Sequence, residues 1–337
     1  MILLGETEGR RKGMKTTAFY RRHGSVCLYT IGFIMVIALV GLGSSPASAG
    51  GVVQKSYATP EAAVGALVSA VKANNEKEML SILGPGGKEL VSSGDRTADE
   101  AGRARFMKAF TAMHRMEKVS PDKMVLHVGK DDWAMPIPVV KRGGRWVFDT
   151  EAGREEILDR RIGRNELNVI DVLHACVAAQ YEYADEDRKA GGCGQFARRI
   201  ISTPGKHDGL YWEAKDGEKT SPLGPLLARA AKEGYSSSSE GITSSPFHGY
   251  YYRILRGQGK YAQGGAYNCV VKGKMILGFG FVAYPAQYGS SGIMTFVVNQ
   301  GGVIYQKDLG KETAQIAGSM KIFNPDKTWT KVEEKGK

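Results

Sequence analysis

His207 and Asp208 are adjacent residues whose types could do acid/base chemistry. An imidazole and a carboxylate can exchange protons with a substrate, and the hydroxyl of Ser202 lies close by in the sequence. Neighbouring residues of a chain rarely face one another, however, and Asp208 is followed by glycine, which is typical of a polar turn. We therefore favour an ordered loop, keep catalysis as the alternative, and retain His207, Asp208 and Trp212 as binding candidates.

A second group of candidates lies in the run HGYYYRIL at residues 248–255. His248 could bind a metal, but no second His or Cys stands at ligand spacing on the same predicted strand, so a packed histidine is favoured. The tyrosines alternate across a strand, so at least one is expected to face away from the core and would suit a partner or glycan surface, although sheet packing explains them as well. The candidates retained here are His248, Tyr250, Tyr252 and Arg253.

Other chemical signatures are weak. Asp149 and Glu151 could be general bases, yet carboxylates after a strand are more often solvated or helix-capping. The chain lacks the HExxH, GxSxG, P-loop and paired CxxC patterns, and the glycine-rich run 257–265 precedes no helix. We therefore predict a non-enzymatic binding or interaction module with no cofactor and no metal. The alternative is a ligand-binding or hydrolytic protein that acts on an envelope polymer.

The element that must position both groups is a helix predicted over residues 163–184. Asn165 is a plausible N-cap, and Glu166 and Asn168 lie off the apolar face. The residues expected to form one buried stripe, at spacings of three or four, are Leu167, Ile170, Leu173, Val177 and Tyr181.

The segment 50–160 is predicted to hold helices followed by an antiparallel sheet. Thr59 and Pro60 mark one helix start, Asn75 marks a second, and a third helix is expected over 98–115. Period-two alternation then predicts strands at 124–128, 133–139 and 146–148, with the strand at Trp133 at an edge because of its prolines.

The segment 161–337 is predicted to pack the central helix on a second antiparallel sheet. A short helix follows Pro225 with Leu226, Leu227 and Ala230 facing inward, and the serines at 236–239 and 244–245 predict a flexible stretch. Strands are expected at 249–255, 267–271, 275–284, 293–298 and 303–305. The fold class is therefore α+β, with domains at 50–160 and 161–337.

Residues 1–49 are predicted to be a cleavable signal peptide. Six Lys and Arg residues precede an apolar segment at 27–42, and Ala-Ser-Ala at 47–49 gives a cleavage site before Gly50. An uncleaved membrane anchor is the alternative, and Met1 and Met14 are both possible starts. We expect a periplasmic or secreted protein with no stable transmembrane span after cleavage.

The charge pattern does not favour nucleic acid as a partner. The net charge is +11, but residues 1–49 hold six of the 46 Lys and Arg and two of the 35 Asp and Glu, which leaves +7 elsewhere. This excess is scattered, without a basic run interleaved with aromatic residues. The expected partner is an envelope protein or polymer of unknown identity.

Three cysteines remain after the predicted signal peptide, so at least one thiol is unpaired. Cys176 and Cys193 are close enough in sequence for a disulfide that would clip the central helix to the following loop. Sequence proximity does not establish the geometry, and a buried free cysteine is the alternative.

Several longer motifs carry a family resemblance. The runs RRIGRNEL, STPGKHDGLYW, SPLGPL, HGYYYRIL and the segment 283–310 resemble the bacterial domain-of-unknown-function family numbered 2950 over nearly all of the chain after residue 49. That family implies exported bacterial proteins without an assigned reaction. Residues 50–160 also resemble the nuclear-transport-factor-2-like cone, which implies a pocket between sheet and helix. Residues 161–337 resemble the head of type IV pilin-like and pseudopilin-like proteins.

Overall fold

The computed structural model describes residues 53–214, 217–235 and 245–333, and its first helices begin at the predicted caps. The Thr59 hydroxyl accepts from the N–H of Ala62 at the start of α1, and Asn75 accepts from the N–H of Glu78 at the start of α2. The third predicted helix begins two residues early, because Asp95 caps it. These helices are α1 (Pro60–Lys72), α2 (Glu76–Leu83), α3 (Lys88–Val91) and α4 (Arg96–Ala112).

An antiparallel sheet follows, as the alternation predicts. β2 and β5 confirm two of the predicted strands. The strand predicted at 133–139 is reduced to the two-residue strand β3, which pairs with β2, and β4 begins only at Val139. β1 was missed, because most of its side chains are exposed and it carries no apolar alternation. The strands are β1 (His114–Ser120), β2 (Lys123–Val128), β3 (Trp133–Ala134), β4 (Val139–Arg142) and β5 (Arg145–Phe148), in the order β1-β2-β4-β5.

The central helix α5 (Thr150–Lys189) is longer than predicted, with 40 residues, and runs through the predicted domain boundary at 160/161. At 1.5 Å per residue it is roughly 60 Å long. Asn165 is not an N-cap but a buried residue in the helix interior. The true start follows Asp149, where the Thr150 hydroxyl donates to the carbonyl of Leu83.

The predicted apolar stripe on α5 is only partly right. Leu173 is buried, but Leu167 is 67% exposed and Tyr181 is 43% exposed. The buried face includes Asn165 and Gln180, whose amides bond to backbone groups, so polar residues interrupt the apolar periodicity. The apolar residues that this face does bury are Val169, Val172, Leu173, Cys176 and Ala179.

A five-stranded antiparallel meander in the order β14-β13-β12-β11-β6 forms the second sheet. The predicted strands at 249–255 and 293–298 are confirmed, whereas those at 267–271 and 275–284 break into shorter pieces. The remaining elements are α6 (Gly224–Lys232), β6 (Tyr250–Leu255), β7 (Gly257–Gln258), β8 (Tyr267–Asn268), β9 (Val270–Val271), β10 (Lys274–Met275), β11 (Gly280–Pro285), β12 (Met294–Asn299), β13 (Tyr305–Asp308), α7 (Thr313–Ser319) and β14 (Thr330–Lys331).

Both faces of this second sheet are covered. Phe281 and Phe296 pack with the buried face of α5, and Val282 and Val297 pack with Ala317 of α7 on the other side. The middle strands β11 and β12 are therefore almost wholly buried. Antiparallel sheets with helices on their faces confirm the α+β class.

Polar side chains of α5 join the first sheet region to the second. Arg161, fully buried, donates to the carbonyls of Glu89 (2.6 Å) and Leu90 (2.9 Å) and to the Ser290 hydroxyl (3.3 Å). Four residues further on, Asn165 donates to the carbonyl of Ser291 at 2.8 Å. The described residues accordingly lie in one compact unit.

The predicted signal peptide and the serines at 236–239 and 244 lie outside the described residues. Within the described ranges, no helix is both long and apolar enough to cross a membrane.

Candidate functional site

The loop with His207 and Asp208 is built as a turn. The Asp208 carboxylate accepts from the backbone N–H and the hydroxyl of Thr203, both at 2.7 Å. Partial burial raises the pKa of Asp208, but these bonds and the charge of Arg199 outweigh it, so the pKa lies below its usual value. The Ser202 hydroxyl accepts from the N–H of Gly209 at 3.0 Å. Ser202 and Asp208 are therefore engaged in holding the loop.

His207 and Trp212 stack, with ring centroids 4.2 Å apart. Both line a surface cavity of about 360 Å³ together with Glu186 and Lys219. Hydrogen bonds from Lys189 and Lys219 lower the pKa of Glu186 to about 2. This cavity is acidic at one wall and aromatic at another, and Asp208 does not line it.

His248 is a packed histidine in a tight turn. Its φ of +51° lies in the left-handed region, its ring contacts Phe247 at 4.1 Å, and its Nε2 lies 3.5 Å from Glu233. Burial, with the charge of Arg229, lowers the pKa of His248 to about 4, and it does so despite the nearby carboxylate. The imidazole is thus neutral near pH 7.

Tyr250 and Arg253 have structural partners. Tyr250 is fully buried and its hydroxyl donates to the carbonyl of Met294 at 3.0 Å. Arg253 donates to the carbonyls of Ala317 and Gly318 at the end of α7. The tyrosine that faces the opposite side of the strand is Tyr251, which contacts Tyr284 at 5.6 Å.

Tyr252 differs, because it lines a partly enclosed cavity of about 310 Å³. This cavity lies among α5, α6, the start of α4 and the turn before β6. Most of its wall is apolar, contributed by Val172, Cys176, Ile200, Leu223, Leu226, Leu227, Ala230 and Phe247.

Three of the residues that line this cavity, Asp95, Tyr235 and Tyr252, carry buried polar groups. Asp95 accepts from the Tyr235 hydroxyl (2.9 Å) and from the N–H of Gly249 (2.8 Å), and burial raises the pKa of its carboxyl group. The Tyr252 hydroxyl is buried and, within the described residues, has no hydrogen-bond partner. Burial raises the pKa of Tyr252 well above its usual value, so the group stays a neutral donor. An unpaired buried hydroxyl is costly unless something bonds to it.

The thiols offer no reactive centre in the cavity. Burial raises the pKa of Cys176 to about 12, so its sulfur remains a protonated thiol near pH 7. Cys176, Cys193 and Cys269 are all free, and Cys193 is exposed. No group of three or more His, Cys, Asp or Glu side chains in the described ranges could hold a metal ion.

Asp95 and Tyr235 were not singled out from the sequence. Asp95 is separated from Gly249 by 154 residues, so no local pattern signals their contact. From the sequence, Asp95 could have been identified only as the N-cap of a helix, a role that the structure bears out. An N-cap predicts where a helix begins and does not predict a ligand site.

A small cavity lies between the helices and the first sheet. The cavity there measures about 10 Å³ and is lined by Met79, Leu83, Leu90, Val91, Arg103, Ile137 and Ile157. Such a volume holds at most about one water molecule.

Together, these features define an α+β protein with a mostly apolar cavity among α5, α6 and the start of α4. The chain belongs to the family described as "Protein of unknown function (DUF2950)", whose model matches residues 54–332. Neither a curated protein nor a solved structure matches it. The cone-like and pilin-like resemblances therefore stay predictions.

Proposed function

We propose that this chain is an exported binding protein of the bacterial cell envelope that holds a small, largely apolar ligand in the cavity lined by Tyr252. The observation that carries the proposal is the cavity itself. It has a volume of about 310 Å³ and a mostly apolar wall, and the buried hydroxyl of Tyr252, one of its lining residues, lacks a partner among the described residues. Ligand sites are usually concave, mostly apolar and equipped with a few polar groups that set orientation.

The size and polarity of the cavity define the ligand class. A volume near 300 Å³ is at the lower end for small-molecule sites. The ligand would present an apolar body to Leu227 and Phe247 and a hydrogen-bond acceptor to the Tyr252 hydroxyl. Asp95 and Tyr235 are hydrogen-bonded to each other, so neither needs a bond from the ligand, and both serve to line one end of the site.

A non-catalytic role fits the positions of the other candidates. Asp208 and Ser202 bond within their own loop, and Tyr250 and Arg253 bond to backbone carbonyls. A partner protein on the faces of the second sheet is less well supported, because α5 and α7 cover those faces.

Binding is tested with prodan, a neutral fluorophore that has an apolar body and one carbonyl acceptor. We expect saturable binding to the wild type and an affinity at least about tenfold weaker for Ala230→Phe, which places a ring in the cavity. Ala230 lines the cavity and is 5% exposed, whereas its neighbour Ala231 is exposed. Ala231→Phe is therefore the matched control and should bind as the wild type does. Equal binding by a folded Ala230→Phe variant would contradict the proposal.

Export is a separate part of the proposal and has its own test. It rests on the basic, apolar and small-residue pattern of residues 1–49. Fractionation of the native host with mass spectrometry of the N-terminus should recover a chain that begins at Gly50 in the periplasm or medium. A cytoplasmic chain that retains residues 1–49 would refute export.

A further inference from the structure

A second concave site lies on the other side of Tyr252, and its chemistry is different. This cleft has a volume of about 640 Å³ and lies between residues 198–201, strand β6 and residues 320–321. Its wall holds five cationic side chains and no Asp or Glu: Arg198, Arg199, Arg253, Arg256 and Lys321.

Two of the guanidinium groups, those of Arg198 and Arg253, are held by short hydrogen bonds to backbone carbonyls, and that of Arg256 makes a longer contact of 3.4 Å. Arg198 donates through Nη1 to Gly273, Arg256 through Nη2 to the carbonyl of Arg198, and Arg253 through Nη1 to Gly318. A guanidinium carries five N–H donors, so each group retains donors beyond these contacts. Fixed guanidinium groups lose less conformational entropy when they bind an anion.

The cleft carries little compensating negative charge. Within the described residues, the one ion pair made by these five side chains joins Arg199 to Asp208 at 3.8 Å. Like charges gathered in one concavity repel one another and focus a positive potential into it. An anion that entered would relieve this repulsion, and this favours a ligand with more than one negative charge.

We infer that this cleft binds an oligoanion, a ligand with several phosphate or carboxylate groups. Arginine forms bidentate bonds with both groups, so the cleft's residue types suit either chemistry. The inference is independent of the apolar ligand proposed above. The two sites share Tyr252 and Ile200, but the five cationic residues line only the cleft and not the apolar cavity.

The test measures binding of tripolyphosphate and of tetraglutamate to the purified full chain by isothermal titration calorimetry, at low and at high salt. We expect at least one of the two to bind, with an affinity that falls as salt rises. Binding of tripolyphosphate alone would identify phosphate as the recognised group, and equal binding of both would identify any oligoanion. Failure of both to bind at low salt would overturn the inference.

The variant Arg256→Gln/Lys321→Gln removes two exposed cations of the cleft. We expect it to weaken oligoanion binding at least about tenfold. The matched control, Arg160→Gln/Lys118→Gln, removes the same charge from exposed residues outside the cleft and should change affinity less than about twofold. An equal loss in both variants would show a general charge effect and refute a site. Prodan binding should be unchanged in both variants, which separates this test from that of the apolar cavity.

Discussion

Two regions around α5 bury polar side chains in opposite ways. At the junction between the two sheet regions, Arg161, Asn165 and Glu166 bond to backbone groups of distant segments. In the cavity beside the same helix, the Tyr252 hydroxyl is buried without a partner among the described residues. Because Nε of Arg161 is also buried without a partner among the described residues, the comparison contrasts groups that bond across the fold with a hydroxyl that we propose for a ligand. Changes at the junction should therefore reduce stability, and changes in the cavity should reduce binding.

The largest effect is expected from Arg161→Met. This change removes the buried guanidinium that donates to the carbonyls of Glu89 and Leu90, which should lower the free energy of unfolding by about 2–5 kcal/mol. Arg160 is the matched control, because it lies next in sequence, is exposed and pairs with Glu156. Arg160→Met should cost less than about 0.5 kcal/mol in urea denaturation. Similar losses for the two variants would show that the junction does not depend on the buried guanidinium.

Glu166 provides the next test of the junction. Its Oε1 accepts from the N–H groups of Ile293 (3.1 Å) and Met294 (2.9 Å) at the start of β12. Glu166→Ala should cost about 1–3 kcal/mol by urea denaturation, because two donors lose their acceptor. Glu166→Gln retains an acceptor oxygen and should lose less than half as much. Equal losses would mean that packing of the side chain, and not its oxygen, matters.

His248 makes stability depend on pH near the cavity. Its pKa is about 4 in the folded chain, below its usual value of about 6.5, so the unfolded chain binds the proton first as pH falls. Stability from the neutral imidazole is therefore present above about pH 6.5 and is lost as pH falls toward 4.

The variant His248→Asn removes the titrating imidazole and keeps the backbone conformation, because asparagine tolerates the left-handed region. Between pH 7 and 4.5, we expect the wild type to lose roughly 1–2 kcal/mol more stability than the variant. The measurement is urea denaturation at both pH values. Parallel losses would exclude His248 as the titrating group.

The smallest effect is expected at Cys193. Its thiol is free and exposed, so Cys193→Ser should change stability by less than about 0.5 kcal/mol. A disulfide between Cys176 and Cys193 would instead make this change cost about 3 kcal/mol. Denaturation with and without a reducing agent distinguishes the two states of this pair.

Local features of this fold could be predicted from the sequence, and long-range ones could not. The caps at Thr59 and Asn75 and the strands β2, β5, β6 and β12 follow from patterns within a few residues. The buried face of α5 was predicted only in part, because buried Asn165 and Gln180 interrupt its apolar period.

The candidate site was predicted only in part, for the same reason. Tyr252 was singled out because it alternates with its neighbours in a strand. Asp95 and Tyr235 are 140 residues apart and meet only in the folded chain. A cavity is a property of packing among α4, α5 and α6, so no residue pattern in one segment could reveal it.

The most direct test of the central claim compares Tyr252→Phe with the wild type for both stability and binding. The account predicts that stability stays within about 0.5 kcal/mol or rises, because a buried hydroxyl without a protein partner is removed. Prodan affinity should fall about tenfold, while affinity for N-phenylnaphthylamine, which lacks the carbonyl acceptor, should not change. Unchanged prodan binding, or a loss of stability of about 2 kcal/mol or more, would contradict a hydroxyl reserved for a ligand.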